Sequence, residues 1–82
     1  VKLIAAPTRE QGQEFVIVLV KDQVIHDSTQ RDAVVLASQN EFGMRAALIS
    51  EGRRETYGPQ DIVNWLANIE FEQLPRREYS VN

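Results

Sequence analysis

Phe15-Val16-Ile17-Val18-Leu19-Val20 decides how the rest of the chain is read. Six consecutive apolar residues, four of them β-branched, are far too few to span a membrane and suit a strand. Alternation turns Phe15, Ile17 and Leu19 to one side and Val16, Val18 and Val20 to the other. A strand with a wet face would carry polar residues at every second position, and this one carries none. Both of its faces are therefore expected to be covered.

The segments around it are short. Residues 1–6 read as a strand ended by Pro7, and residues 8–13 as an exposed loop. Beyond Lys21-Asp22-Gln23, residues 24–27 read as a return strand. A helix is expected from Ser28 or Thr29, with Thr29 and Asp32 spaced as a capping box and Gly43 as its C-terminal cap. Ala33, Leu36 and Ala37, with Val34 at the margin, give that helix a narrow stripe of small residues and leave Val35 exposed.

Residues 44–50 read as a third strand, with Met44, Ala46 and Leu48 opposite Arg45, Ala47 and Ile49. Glu51-Gly52 is a turn and residues 53–57 a polar edge strand. Pro59 suits the first position of a second helix, on which Ile62, Trp65, Leu66 and Ile69 share one face. Trp65 on that stripe reads as core. Pro75 stops any continuation, and residues 76–82 contain a terminal strand.

The expectation is one small α+β domain over residues 1–82, with a mostly antiparallel sheet and two helices on one face. Its order reads as ββα-ββα, or as a ferredoxin-like βαββαβ with an extra N-terminal hairpin strand. Two helices on one face leave the other open. Val16, Val18 and Val20 are then the expected interface of a homodimer, packed sheet to sheet or by exchanged terminal strands. Such packing buries on the order of 1,200 to 2,000 Å². The alternative cover is the chain's own ends folded over the open face.

Composition narrows the function. A net charge of −3 does not favour a dedicated binder of phosphate backbones. No run is apolar and long enough for a membrane span, and the lack of cysteine fits a reducing, cytoplasmic setting. The chain starts at Val1, so an initiator or a longer leader is expected upstream.

Reactive constellations are not evident. His26 is the single histidine, and on a strand Asp27 would face away from it. With no cysteine, a zinc site would rest almost wholly on carboxylates. Ser28, Thr29, Gly12 and Gly43 fit caps and turns, and no phosphate-loop pattern contains them. Glu10, Glu14, Asp22, Asp27 and Asp32 are scattered and match no calcium loop. Neither catalysis nor a metal or cofactor is expected.

The arginines carry more. Arg53-Arg54 and Arg76-Arg77 are paired, Arg45 falls on the strand next to the first pair, and Tyr57 and Tyr79 lie nearby in sequence. Arg45, Arg53, Arg54, Tyr57, Arg77 and Tyr79 are the candidate partner-binding residues. Guanidinium groups beside aromatic rings suit single-stranded nucleic acid. On polar edge strands they also serve to prevent aggregation, paired with Glu51, Glu55 and Glu78. The sequence thus reads as a non-enzymatic macromolecule-binding protein, regulatory or inhibitory, of the accessory kind that phages and plasmids carry. Its expected partner is a protein, with single-stranded nucleic acid as the alternative.

Overall fold

The computed structural model describes residues 2–10 and 12–80. In chain order the elements are β1 (Lys2–Glu10), β2 (Gln13–Val20), α1 (Asp22–His26), α2 (Ser28–Phe42), β3 (Arg45–Ser50), β4 (Thr56–Tyr57), α3 (Gln60–Leu66), a 3-10 turn at Phe71–Gln73, and β5 (Arg77–Ser80). The strands form one sheet in the order β4-β3-β2-β1-β5. The quoted apolar run lies in its middle strand. β2 runs antiparallel to β1 and parallel to β3, with Phe15 opposite Arg45 and Val20 opposite Ser50. β4 and β5 pair antiparallel with β3 and β1.

The parallel pair explains the first departure from the sequence reading. Parallel neighbours need a crossover, so the chain leaves β2 into helix rather than turning straight back. Residues 24–27 are accordingly no return strand: α1 occupies Asp22–His26, with Val24 and Ile25 packed toward the sheet. Along the chain the elements run β-β-α-α-β-β-α-β, in a mixed sheet ordered β4-β3-β2-β1-β5, and neither the doubled ββα nor the ferredoxin-like arrangement is confirmed. The α+β class stands.

Both faces of β2 are covered, and by this chain. Leu3, Ala5, Val16, Val18, Val20, Ala46 and Leu48 form a buried cluster with Ile25, and Val34, Val35 and Phe42 of α2 pack on it. On the opposite face Ala6, Phe15, Ile17, Ala47 and Ile49 are buried with Ile62, Leu66 and Phe71. The helices thus lie on opposite faces, not on one. Each side of the β2–β3 pair is apolar, so each recruits one of the two helical layers. Val16 and Val18 are fully buried and Val20 nearly so, beneath α1 and α2. Buried within the chain, they present no exposed apolar face, so the sheet-to-sheet packing that their exposure argued for loses that argument. The chain's ends do not serve as a cover either, because β1 and β5 widen the sheet in its own plane.

Local chemistry accounts for the remaining differences. β1 continues through the expected loop to Glu10, pairing Thr8 with Phe15 and Glu10 with Gln13. β5 pairs with β1 only as far as Ala5, so among the described residues Pro7 meets no strand on its outer side. A proline at such a place removes no donor from a ladder. Gln11 of that loop, and Val1 and Val81 of the two terminal strands, lie outside the described residues.

α2 is turned relative to the expected stripe. Ala33 and Leu36 face outward, Val35 is half-buried, and Ser38 is fully buried. The Ser38 hydroxyl donates to the Val34 carbonyl at 2.7 Å, which lets a polar residue sit where the helix meets the sheet. The N-terminal cap is Asp27, whose carboxylate accepts from the N–H groups of Thr29 and Gln30 at 3.0 and 3.1 Å. Gly43 closes the helix in the left-handed conformation (φ 65°), as its position predicts.

At α3, Pro59 stands at the cap and the helix begins with Gln60. Ile62 and Leu66 are buried, and Trp65 meets Phe15 edge to face at 5.2 Å, consistent with the core reading. The polar strand expected over residues 53–57 shrinks to Thr56–Tyr57. Before it, Asp22 Oδ1 accepts from the N–H groups of Gly52 and Arg53 at 3.0 and 3.1 Å. Those two donors are thus spent on α1 and not on β3, and Arg54 has a positive φ of 57°.

Candidate functional site

The sheet order divides the six candidate residues. Arg45, Arg53, Arg54 and Tyr57 gather around β4 at one edge, whereas Arg77 and Tyr79 lie on β5 at the other. Four strand spacings, about 19 Å, separate the edges. Tyr79 packs edge to face on Phe42 at 4.8 Å and belongs to the core under α2. Arg77 is exposed on β5, as are Glu78 and Ser80. The candidate surface is therefore the β4 edge.

Each arginine there faces a carboxylate. Arg45, pointing to the α3 side, has Nη2 3.1 Å from Asp61 Oδ2 and also donates to Gln13. Its bond to Asp61 holds that carboxyl below the usual range. Arg54 pairs with Glu72 of the 3-10 turn. Arg53 Nη1 lies 4.0 Å from Glu55, while its backbone N–H belongs to Asp22. Asp22 too is held below the ordinary carboxylate range, chiefly by that Arg53 N–H.

Arg31 is the residue that sequence reasoning missed. Its guanidinium lies over the Tyr57 ring, 4.1 Å from the centroid, and Nη1 reaches the Ile25 carbonyl at 3.5 Å. Among the described residues the Nε is buried without a hydrogen-bond partner. Twenty-five intervening residues hide this stack from any local pattern; the only hint is that Arg31 precedes Val34 and Val35 by three and four positions on α2.

Two hollows flank β4. On the α2 side one of about 330 Å³ is lined by Val35, Gln39, Arg45, Ala46, Tyr57 and Gly58-Pro59. Tyr57 is 37 % exposed, and Leu36, which shares a helical face with Gln39, is 59 % exposed. A seam between α2 and β4 thus presents apolar side chains to solvent with a polar border. On the α3 side a groove of about 590 Å³ has a floor of Ile49, Val63, Leu66, Ala67 and Phe71. Arg54, Glu70 and Glu72 stand along its rim.

His26 has a partner that a strand would have denied it. As the last residue of α1 it places Nε2 2.9 Å from Glu55 Oε2. Both side chains are solvent-accessible, and the neighbouring Ser50 hydroxyl, buried, accepts from the Glu55 N–H at 2.9 Å. The arrangement ties α1 to β4 and leaves Ser50 committed to the turn. Among the described residues no group of three or more His, Cys, Asp or Glu stands where it could hold a metal ion. No helix among them is long and apolar enough to cross a membrane. No protein-family model, curated protein or solved structure matches the chain.

Proposed function

We infer that the chain is a small cytoplasmic accessory protein that acts by binding another protein, without catalysis. The observation that carries this reading is the α2–β4 seam, where exposed Tyr57 lines a shallow hollow with Val35 and Gln39, and Leu36 stands exposed on the same helix one turn before Gln39. Exposed aromatic and aliphatic side chains within a polar border are the usual core of a protein contact. Arg31 stiffens the site, since a ring held by a guanidinium loses little freedom when a partner arrives. The reading needs no second copy of the chain.

The arginines favour a protein over single-stranded nucleic acid. One face of Tyr57 is occupied by Arg31, which leaves less room for a stacked base. Arg45, Arg53 and Arg54 each have an acidic neighbour, so phosphates would have to displace carboxylates. Immobilised chain is incubated with lysate of its own source cell, alongside a Tyr57→Ala, Leu36→Ala variant. A bound protein that the variant loses while keeping its thermal midpoint supports the seam. Equal capture by both removes it. Labelled single-stranded oligonucleotides that bind tightly in low salt and let go steeply as salt rises would replace the protein reading by the nucleic-acid one.

A further inference from the structure

The groove between α3 and β4 lies on the other face of the sheet from the seam and is the larger of the two hollows. Its volume of about 590 Å³ falls in the range that holds a ligand or one or two side chains. Its accessible apolar lining is exposed Ala67 with half-buried Val63 and Ile69, over Leu66, Phe71 and Ile49, which are nearly fully buried. Such a lining gains by covering an aliphatic group.

Charge along the rim selects what comes with that group. Arg54 and Glu72 neutralise each other across it. Glu70, exposed on the same rim, forms no ion pair among the described residues. Arg76 lies 5.8 Å from the Phe71 ring centroid and does not line the groove. The lining therefore has one uncompensated negative charge, in a chain that is itself acidic at −3.

We propose that this groove docks a basic, apolar peptide segment of a partner protein. One large aliphatic side chain of the segment lies on Val63, Ala67 and Ile69, and a lysine or arginine beside it reaches Glu70. This site is separate from the seam at Tyr57, and either stands without the other.

The test is a selection of random linear displayed peptides on the immobilised full chain at low salt. Parallel selections use Glu70→Lys, which reverses the rim charge, and Ala67→Phe, which fills the groove from an exposed position. Circular dichroism and thermal midpoints establish that both variants fold. The expected peptides share a large aliphatic residue next to Lys or Arg, and Glu70→Lys no longer enriches the basic residue. A synthetic consensus peptide binds Ala67→Phe more weakly by about tenfold or more, and binds Tyr57→Ala as it binds the parent. Peptides without basic enrichment, an unchanged affinity for Ala67→Phe, or no selected peptide overturn the proposal. So does a dimer in sedimentation that Ala67→Phe dissolves, since a second copy would then be the occupant.

Discussion

Replacing Phe71 by alanine should remove a large part of this protein's stability. The ring is 1 % exposed and seals the α3 side of the sheet against Ala6, Ile17, Ile49 and Leu66. A buried phenylalanine hides about 150–250 Å². At about 25 cal/mol per Å², and allowing for the methyl that alanine keeps, the ring accounts for roughly 3 to 5 kcal/mol. An 82-residue domain has only about 4 to 12 kcal/mol in total. With a urea slope of about 1 to 1.5 kcal/mol per M, the midpoint should fall by roughly 2 to 5 M. Trp65, in edge contact with Phe15 in the same layer, reports the transition by fluorescence, and far-ultraviolet circular dichroism reports the sheet. The two signals should coincide. Leu36→Ala, at an exposed position, should stay within about 0.5 kcal/mol of the parent. A loss below about 1 kcal/mol for Phe71→Ala would refute the reasoning, because the 3-10 turn would then not belong to the cooperative core.

Three further outcomes test local features. Asp27→Ala should cost about 1 kcal/mol by orphaning the first N–H groups of α2, and Asp27→Asn much less; equal urea midpoints for the two would discount the cap. Gly58→Ala should cost about 1 to 3 kcal/mol, since its Cβ would stand 2.8 Å from the Ala47 Cβ with backbone just behind; a variant as stable as the parent would mean that the turn yields. Asp22, through the Arg53 N–H, and Asp61, through Arg45, are both held below the ordinary carboxylate value in the folded chain, so the unfolded chain takes up protons first as the pH falls. Their stabilisation is complete well above that value, declines as the pH falls past it, and is lost through the folded values. Urea midpoints followed from about pH 6 to about pH 2 should therefore drop less steeply in Asp22→Asn and Asp61→Asn variants, and parallel curves would contradict the assignment.

What could be read from the sequence was what local rules decide. Alternation in Phe15–Val20 and Met44–Ser50, the stripe Ile62-Trp65-Leu66 and the cap at Gly43 depend on neighbours a few residues away and appear in the structure, whereas Ile69 falls beyond the end of α3 and outside that cluster. The need for cover on both faces of β2 was legible for the same reason. What supplies the cover was not, because that depends on the parallel pairing of Val16 with Ala46 and Val18 with Leu48, thirty residues on. Val24-Ile25-His26 is too short for its period to separate strand from helix. On α2 the buried Ser38 disguised the inward face until its hydroxyl was seen to bond within the helix. Arg45 and Tyr57 were singled out and do line one hollow. Arg31 over Tyr57 and Glu55 beside His26 were invisible, since each joins segments that only the crossover brings together.

The register of β5 on β1 sets Lys2 directly across from Ser80. Strand neighbours stand about 5 Å apart, so a few glycines and serines would join those two residues. A ring closed there could be opened at the solvent-exposed turn after β3, around Glu51, and the rearranged chain would begin near the middle of the present one. Every ladder of the sheet except the short one to β4 would then form without crossing the new break. The threading order of this protein is thus one choice among several that the same packed layers allow.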